Sequence, residues 1–239
     1  MLRAKSKTVK LLLVIFTLGI IASLSLVSIP GAEAGRSFTL AKGTCEHALR
    51  GSWSSNTNSK TQGTCSITNP TIIKSGVTMT IPQGVTLDLE SQFQNNGSIV
   101  INSNQGIIIP SGLPLVVFYN IGTIQIKNSD GSGINSGGEI DNTGTITVIN
   151  SGGYGIYNGG NIINYDGGVI DIISTAGTAG IFNIVSIDNY VSSTIKMRTS
   201  ATNAISNNGL INNDGTICNT GNYGGIIPTS GNAVVIGCS

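Results

Sequence analysis

Charge is scarce in this chain. Asp, Glu, Lys and Arg make up 10% of 239 residues, against about 25% in an average soluble domain. Aromatic residues are 5%, and there are 6 prolines, 4 cysteines and 1 histidine. Each shortage excludes something. Low charge beside a 39% apolar share excludes a disordered chain held open by its own charge. A net charge of +1, with no Lys/Arg cluster beyond residue 10, leaves no electrostatic footprint for nucleic acid. The lone His47 and the scattered cysteines make no Cys/His zinc set, so no metal site and no cofactor is expected. The 33 glycines do not recur at every third position, which excludes collagen.

What charge there is begins at the N-terminus. Arg3, Lys5, Lys7 and Lys10 precede an uncharged run from Leu11 to Ile29, followed by Pro30 and Ala32-Glu33-Ala34. A basic end, an apolar helix and small residues at a cut point form the layout of a secretory signal. Cleavage after Ala34 is expected, with an uncleaved membrane anchor as the alternative, since the run approaches the ~20 residues that span a bilayer. Removing residues 1–34 takes four of the 12 cations and one of the 11 anions, leaving 8 against 10, or −2. No later apolar run approaches membrane-spanning length.

Beyond the leader the sequence repeats. An apolar residue, any residue and an asparagine recur as Phe93-Gln94-Asn95, Phe118-Tyr119-Asn120, Ile140-Asp141-Asn142, Ile162-Ile163-Asn164, Ile187-Asp188-Asn189 and Leu210-Ile211-Asn212, with Asn spacings of 25, 22, 22, 25 and 23. A second signal follows each asparagine at Ile99, Ile124, Ile146, Ile170, Ile195 and Ile217. A third closes each unit, at Gly106-Ile107, Gly133-Ile134, Gly155-Ile156, Gly180-Ile181, Ala204-Ile205 and Gly225-Ile226. Three short segments bounded by Gly, Asn, Ser and Asp read as strands, and the alternation in Thr145-Ile146-Thr147-Val148 puts both apolar residues on one face. No unit can bury its apolar side alone, but a stack of units can. The predicted fold is therefore an all-β parallel solenoid of six to eight coils stacked about 4.8 Å apart, preceded by the signal helix. The asparagines Asn95, Asn120, Asn142, Asn164, Asn189 and Asn212 are expected as a structural ladder. Asn tolerates the tight backbone of a turn, and its amide both donates and accepts along a column.

The pattern from Thr71 to Ile227 resembles the right-handed parallel β-helix proteins, the pectin-lyase-like superfold. Ser75-Gly76-Val77-Thr78-Met79-Thr80-Ile81-Pro82-Gln83-Gly84-Val85-Thr86-Leu87 is similar to the opening coil of secreted members. Cys45, Trp53 and Cys65 resemble the disulfide-bearing cap of secreted, asparagine-rich β-helix proteins. The resemblance implies the handedness, and a group that includes adhesins, polysaccharide lyases and hydrolases. It carries over no catalytic residue, because neither paired aspartates of the polygalacturonase type nor an acidic calcium cluster of the lyase type is found. The expected layout is a leader over 1–34, an N-terminal cap over 35–70, the β-helix over 71–217 and a C-terminal coil and cap over 218–239.

The cysteines flank the coils, Cys45 and Cys65 before them and Cys218 and Cys238 at the end, each pair 20 residues apart. In an exported chain this reads as two local disulfides, one per cap. Joining the two ends would span about six coil spacings, near 30 Å. Trp53 is expected as a lid on the first coil.

A search of the outward positions finds little chemistry. The residue before each ladder asparagine gives the row Gln94, Tyr119, Asp141, Ile163, Asp188, Ile211. Asp141 and Asp188 are the acids of that row, two coils apart with Ile163 between them, and are expected as solvated surface. Asp171 and Lys196 are expected as a surface ion pair. The outward row Ser98, Thr123, Thr145, Val169, Thr194, Thr216 is regular, but its companion row is chemically mixed. These features predict a secreted or cell-surface protein with a structural or adhesive role, monomeric, and no evident catalytic site. The alternative is a polysaccharide-binding or polysaccharide-degrading protein, with Tyr119, Asp141, Tyr165, Asp188 and Tyr190 as the glycan-binding face. The expected partners are extracellular glycans or other envelope proteins. Nucleic acid is not expected, and a membrane only if the leader is retained.

Overall fold

The computed structural model describes residues 27–28, 36–55, 58–102, 105–112, 115–177, 179–198, 203–219, 230–232 and 235–236. The chain winds as a parallel β-solenoid of about six turns. Its coils contribute in order to three sheets of nine, nine and eight strands. The first sheet contains the asparagine-ended strands Phe93–Asn95, Val117–Asn120, Glu139–Asn142, Asn161–Asn164, Ser186–Asn189 and Leu210–Asn213. The second contains the threonine-led strands such as Thr145–Ser151 and Thr194–Arg198, and the third the short strands such as Ile134–Ser136 and Ile156–Asn158.

Register follows the apolar residues. Ile99, Ile124, Ile146, Ile170, Ile195 and Ile217 pair directly from coil to coil. Ile107, Ile134, Ile156, Ile181 and Ile205 do the same in the third sheet. In the first sheet the inward column is Phe93, Phe118, Ile140, Ile162, Ile187 and Ile211, all fully buried. Phe93 and Phe118 meet edge to face, ring centroids 5.8 Å apart, an arrangement their quadrupoles favour. A slip of one residue would turn an entire column to solvent, at about 1.5–3 kcal/mol for each exposed side chain. That penalty holds the coils in register.

One expected position is corrected by this pairing. Ile187 pairs with Ile211, and Asn189 with Asn213. The last ladder residue is therefore Asn213, fully buried, and Asn212 is exposed on the outer face. Ile211, assigned to the outward row from the sequence, is an inward core residue. Leu210-Ile211-Asn212-Asn213 offers two overlapping matches to the motif, and burial of Ile211 selects the later one.

The N-terminal side is closed by strands of the expected cap. Ser37–Thr39 pairs with Thr78–Thr80 in the second sheet, and Ser52–Ser54 runs antiparallel to Thr64–Ser66 in the third. Cys45 and Cys65 are bonded, with Cα atoms 5.8 Å apart, and both are fully buried. Trp53 packs against the core, its Nε1 donating to Ser59 O at 3.0 Å. Val27–Ser28, expected within the leader helix, is instead a strand pairing with Thr71–Ile72 at the edge of the first sheet. A β-branched residue beside an open sheet edge favours this pairing. The rest of the leader lies outside the described residues. So does Cys238, the expected partner of Cys218, as does Gly225-Ile226. Cys218 itself is buried in the second sheet, where it pairs with Val235 of the following coil.

Candidate functional site

The ladder asparagines sit where the first sheet turns into the second. Asn95, Asn120, Asn142 and Asn164 each donate Nδ2 to the Oδ1 of the next at 2.8 Å, and Asn189 donates to Asn213 at 2.7 Å. The second amide hydrogen goes to a backbone carbonyl of the following coil: Thr123, Thr145, Val169, Thr194 or Thr216. These side chains are buried and spend both donors and the acceptor internally, so they have nothing left for a ligand. A second column lies where the third sheet turns into the first. Asn158 donates to Asn183, and Asn183 to Asn207, each at 2.7 Å. Sequence reasoning missed this column. It has three rungs, and the coils before it place Ser136 and Ile109 at the same position.

With two of the three corners occupied by these columns, the outer faces and the corner between the second and third sheets are left. On the first sheet, Tyr119, Asp141, Ile163, Asp188 and Asn212 form one outward column. Asn212 Nδ2 donates to Asp188 Oδ1 at 2.7 Å. Asp141 has no such partner: its Oδ1 is out of solvent and accepts no hydrogen bond. Burial, reinforced by the neighbouring Glu139 carboxylate, pushes its pKa up to about 7. Burial, with Asp141 and Glu139 nearby, likewise pushes the Tyr119 hydroxyl up to about 12. The Tyr165 hydroxyl is raised too, chiefly by burial and then by Asp141. Tyr165 and Tyr190 stack on each other at the adjoining corner, centroids 5.4 Å apart. The structure thus gathers Tyr119, Asp141 and Asp188 in one column and sets Tyr165 and Tyr190 along its border. Glu139, not singled out from the sequence, shares the face two residues from Asp141 and accepts from Asn161 Nδ2 at 3.3 Å.

The second sheet pairs Asp171 with Lys196 in register, but the expected ion pair is corrected. Arg198 reaches back to Asp171 instead, with Nε 3.2 Å from Oδ1 and Nη2 on Oδ2. The guanidinium fork fits a carboxylate with two bonds where an ammonium supplies a point charge.

The third sheet carries a feature absent from the sequence reading. Ile108, Asn135, Tyr157, Phe182 and Ser206 form its outward row. Tyr157 and Phe182 stack at 5.5 Å, and Tyr154 stacks on Phe182 at 5.1 Å. All three rings are half-buried. Two shallow grooves lie at the corner that leads into this sheet, one lined by Gln105, Ile108, Asp130, Ser132 and Asn135, the other by Asn128, Asp130, Asn150 and Ala176, and none of the three rings lines either. Register brings these rings together, and spacings of 3 and 25 residues between them hide the cluster from a motif search.

Among the described residues no group of three or more His, Cys, Asp or Glu side chains is placed to hold a metal ion. Among them, too, no helix is long and apolar enough to cross a membrane. Comparison with protein-family models, with curated proteins and with solved structures finds no match to this chain.

Proposed function

We propose that the chain is a rigid solenoid of the cell exterior, secreted or surface-bound, with a structural or adhesive role. The observation that carries this reading is the pair of amide columns, the longer one buried throughout, running beside unbroken apolar columns. Such a body devotes the amides of its corners to its own stacking and leaves its outer faces for contact. The Cys45–Cys65 disulfide supports export, because such bonds persist in oxidising compartments. Fractionation of the producing cell tests the reading. A peptide beginning at Gly35 or an intact leader on the outer surface is expected, and a cytosolic chain with reduced cysteines overturns it.

A second reading, binding or cleavage of extracellular polysaccharide, draws on the third sheet. The row from Ile108 to Ser206 is uncharged, with Asp130 at its lip. Its half-buried rings offer apolar surface to sugar faces, and its amides offer donors and acceptors to hydroxyls. A glycan array read alongside a reducing-end assay decides it. Retained glycan lost in Tyr157→Ala and Phe182→Ala supports binding. Released reducing ends lost in Asp141→Asn or Asp188→Asn would place catalysis on the first sheet.

A further inference from the structure

The exposed large apolar side chains of the described residues are not scattered. Leu115, Ile121, Ile184, Val185, Val191 and Leu210, each 39–56% exposed, all border the first sheet. Leu115, Ile184 and Val185 precede its strands at one corner, Leu210 begins a strand, and Ile121 and Val191 follow strands at the other corner. The corner between the second and third sheets has none among the described residues. Scattered exposed hydrophobics need no explanation, but a pair of apolar borders along one face marks a contact surface.

Between these borders the face is acidic. Glu139, Asp141 and Asp188 point outward, and the strands from Phe93 to Asn213 carry no lysine or arginine. Asp188 is engaged by Asn212, whereas Asp141 keeps a buried, unpartnered oxygen between Tyr119 and Ile163. A buried acceptor without a donor is costly to leave unpaired, and no lysine or arginine of this face offsets the Asp141 charge. Beside Glu139 the rim dips. Gly137-Gly138 and Gly159-Gly160 fill the two corner rungs between Leu115-Val116 and Ile184-Val185. A Cβ on Gly160 would lie 1.9 Å from Gly138 O, and one on Gly138 2.4 Å from Val116 O, so the backbone packing itself requires this low rim.

We propose that the outer face of the first sheet docks a protein partner that brings an arginine or lysine to Asp141, flanked by aliphatic side chains that cover the two apolar borders. Charge chooses this occupant. A second copy of the chain meeting the same face would set Glu139, Asp141 and Asp188 against their own images, and opposed like charges are destabilising. Anionic lipid headgroups meet the same repulsion, and a neutral glycan has no cation for Asp141. A guanidinium brings the cation this face lacks, in a planar fork that matches a carboxylate, and the aliphatic rim excludes water around it. The proposal deepens the adhesive reading and rests on it for the partner's biological role. Peptide binding by a chain that is never exported would keep the face and remove that role, and export without binding would do the reverse.

The test titrates the full-length chain into a labelled peptide alternating Leu and Arg, read by fluorescence anisotropy, with Leu/Glu and Ser/Arg peptides as comparators. The Leu/Arg peptide binds best, and Asp141→Asn and Leu210→Ser each weaken it by about tenfold. Both variants change outer-face side chains, and melting curves verify that they fold. Equal binding of the Ser/Arg peptide would reduce the effect to bulk charge and overturn the proposal. Unchanged affinity in both variants, or a free chain that sediments as a dimer and is dissociated by Leu210→Ser, would also overturn it.

Discussion

Asn189 donates its side-chain amide to Asn213 Oδ1 at 2.7 Å, while Asn212, its immediate neighbour, points to the opposite side of the strand and donates to Asp188. Two adjacent residues of one type thus have unrelated duties. One is an internal rung with its capacity spent, the other a surface amide whose loss leaves only solvent-accessible groups behind.

The first prediction follows from that contrast. Asn142→Leu removes the bonds to both neighbouring rungs, leaving one Asn120 Nδ2 hydrogen and Asn164 Oδ1 without those partners. Leaving such groups unsatisfied costs about 1–3 kcal/mol each, so urea midpoints should fall well below the parent. Asn212→Ala should stay within about 0.5 kcal/mol. Equal losses in the two variants would show that the column is not a stabilising element.

Asp141 gives stability a pH dependence. Its folded-state pKa, raised by burial first and by Glu139 second, is about 7 against an ordinary 3.8. The folded chain therefore binds that proton more tightly than the unfolded chain does. Its contribution is full below pH ~4, falls as pH rises through about 7, and is flat above. Asp141→Asn, which cannot ionise, should melt higher than the parent at pH 8, by a margin on the order of 1–3 kcal/mol, and lose that advantage at pH 4. Parallel melting curves from pH 4 to 8 check the sign.

Two glycines should respond differently to one methyl group. At Gly160 the new carbon would sit 1.9 Å from Gly138 O, so Gly160→Ala must separate two coils, at about 3 kcal/mol. At Gly167 nothing lies within 4 Å, but φ is +82°, so Gly167→Ala carries only left-handed backbone strain, about 1–2 kcal/mol. Chemical denaturation ranks them, and the reverse order would contradict the coil spacing described above.

The Cys45–Cys65 bond closes a loop of 20 residues. Confining such a loop in the unfolded chain is worth about 3 kcal/mol. Cys45→Ala with Cys65→Ala should lower stability by roughly that amount. It should also raise amide exchange in the Gly63–Ile67 strand before the later coils respond, because each coil leans chiefly on its neighbours.

Much of this architecture was legible because stacking copies one residue choice from coil to coil. Isoleucine recurs at most inward strand positions of the later coils, and spacing alone put Ile99 to Ile217 in one column. The last asparagine was not legible, since Asn212 and Asn213 satisfy the same local motif and only burial of Ile211 separates them. The second amide column was hidden by its short run. The Asp171–Arg198 pair was hidden because a long side chain can leave its own register position, a freedom strand spacing does not encode. Val27–Ser28 read as part of an apolar targeting run, and its pairing with Thr71–Ile72 depends on a sheet edge remote in sequence. The orphan oxygen of Asp141 depends on what lies above and below it, which composition does not convey.

Every amide in the main column points the same way, each donating to the rung that follows. Asn120 and Asn142, 22 residues apart, present the same chemistry to what comes before and after. A whole turn bounded by such equivalent points is thus an interchangeable module. Deleting or duplicating it would hand each amide an identical neighbour, and the molecule's reach could change in steps of one rise while its surfaces keep their lateral pattern. Evolution by unequal exchange of repeats would meet little resistance here, and a shift by a fraction of a turn would meet all of it.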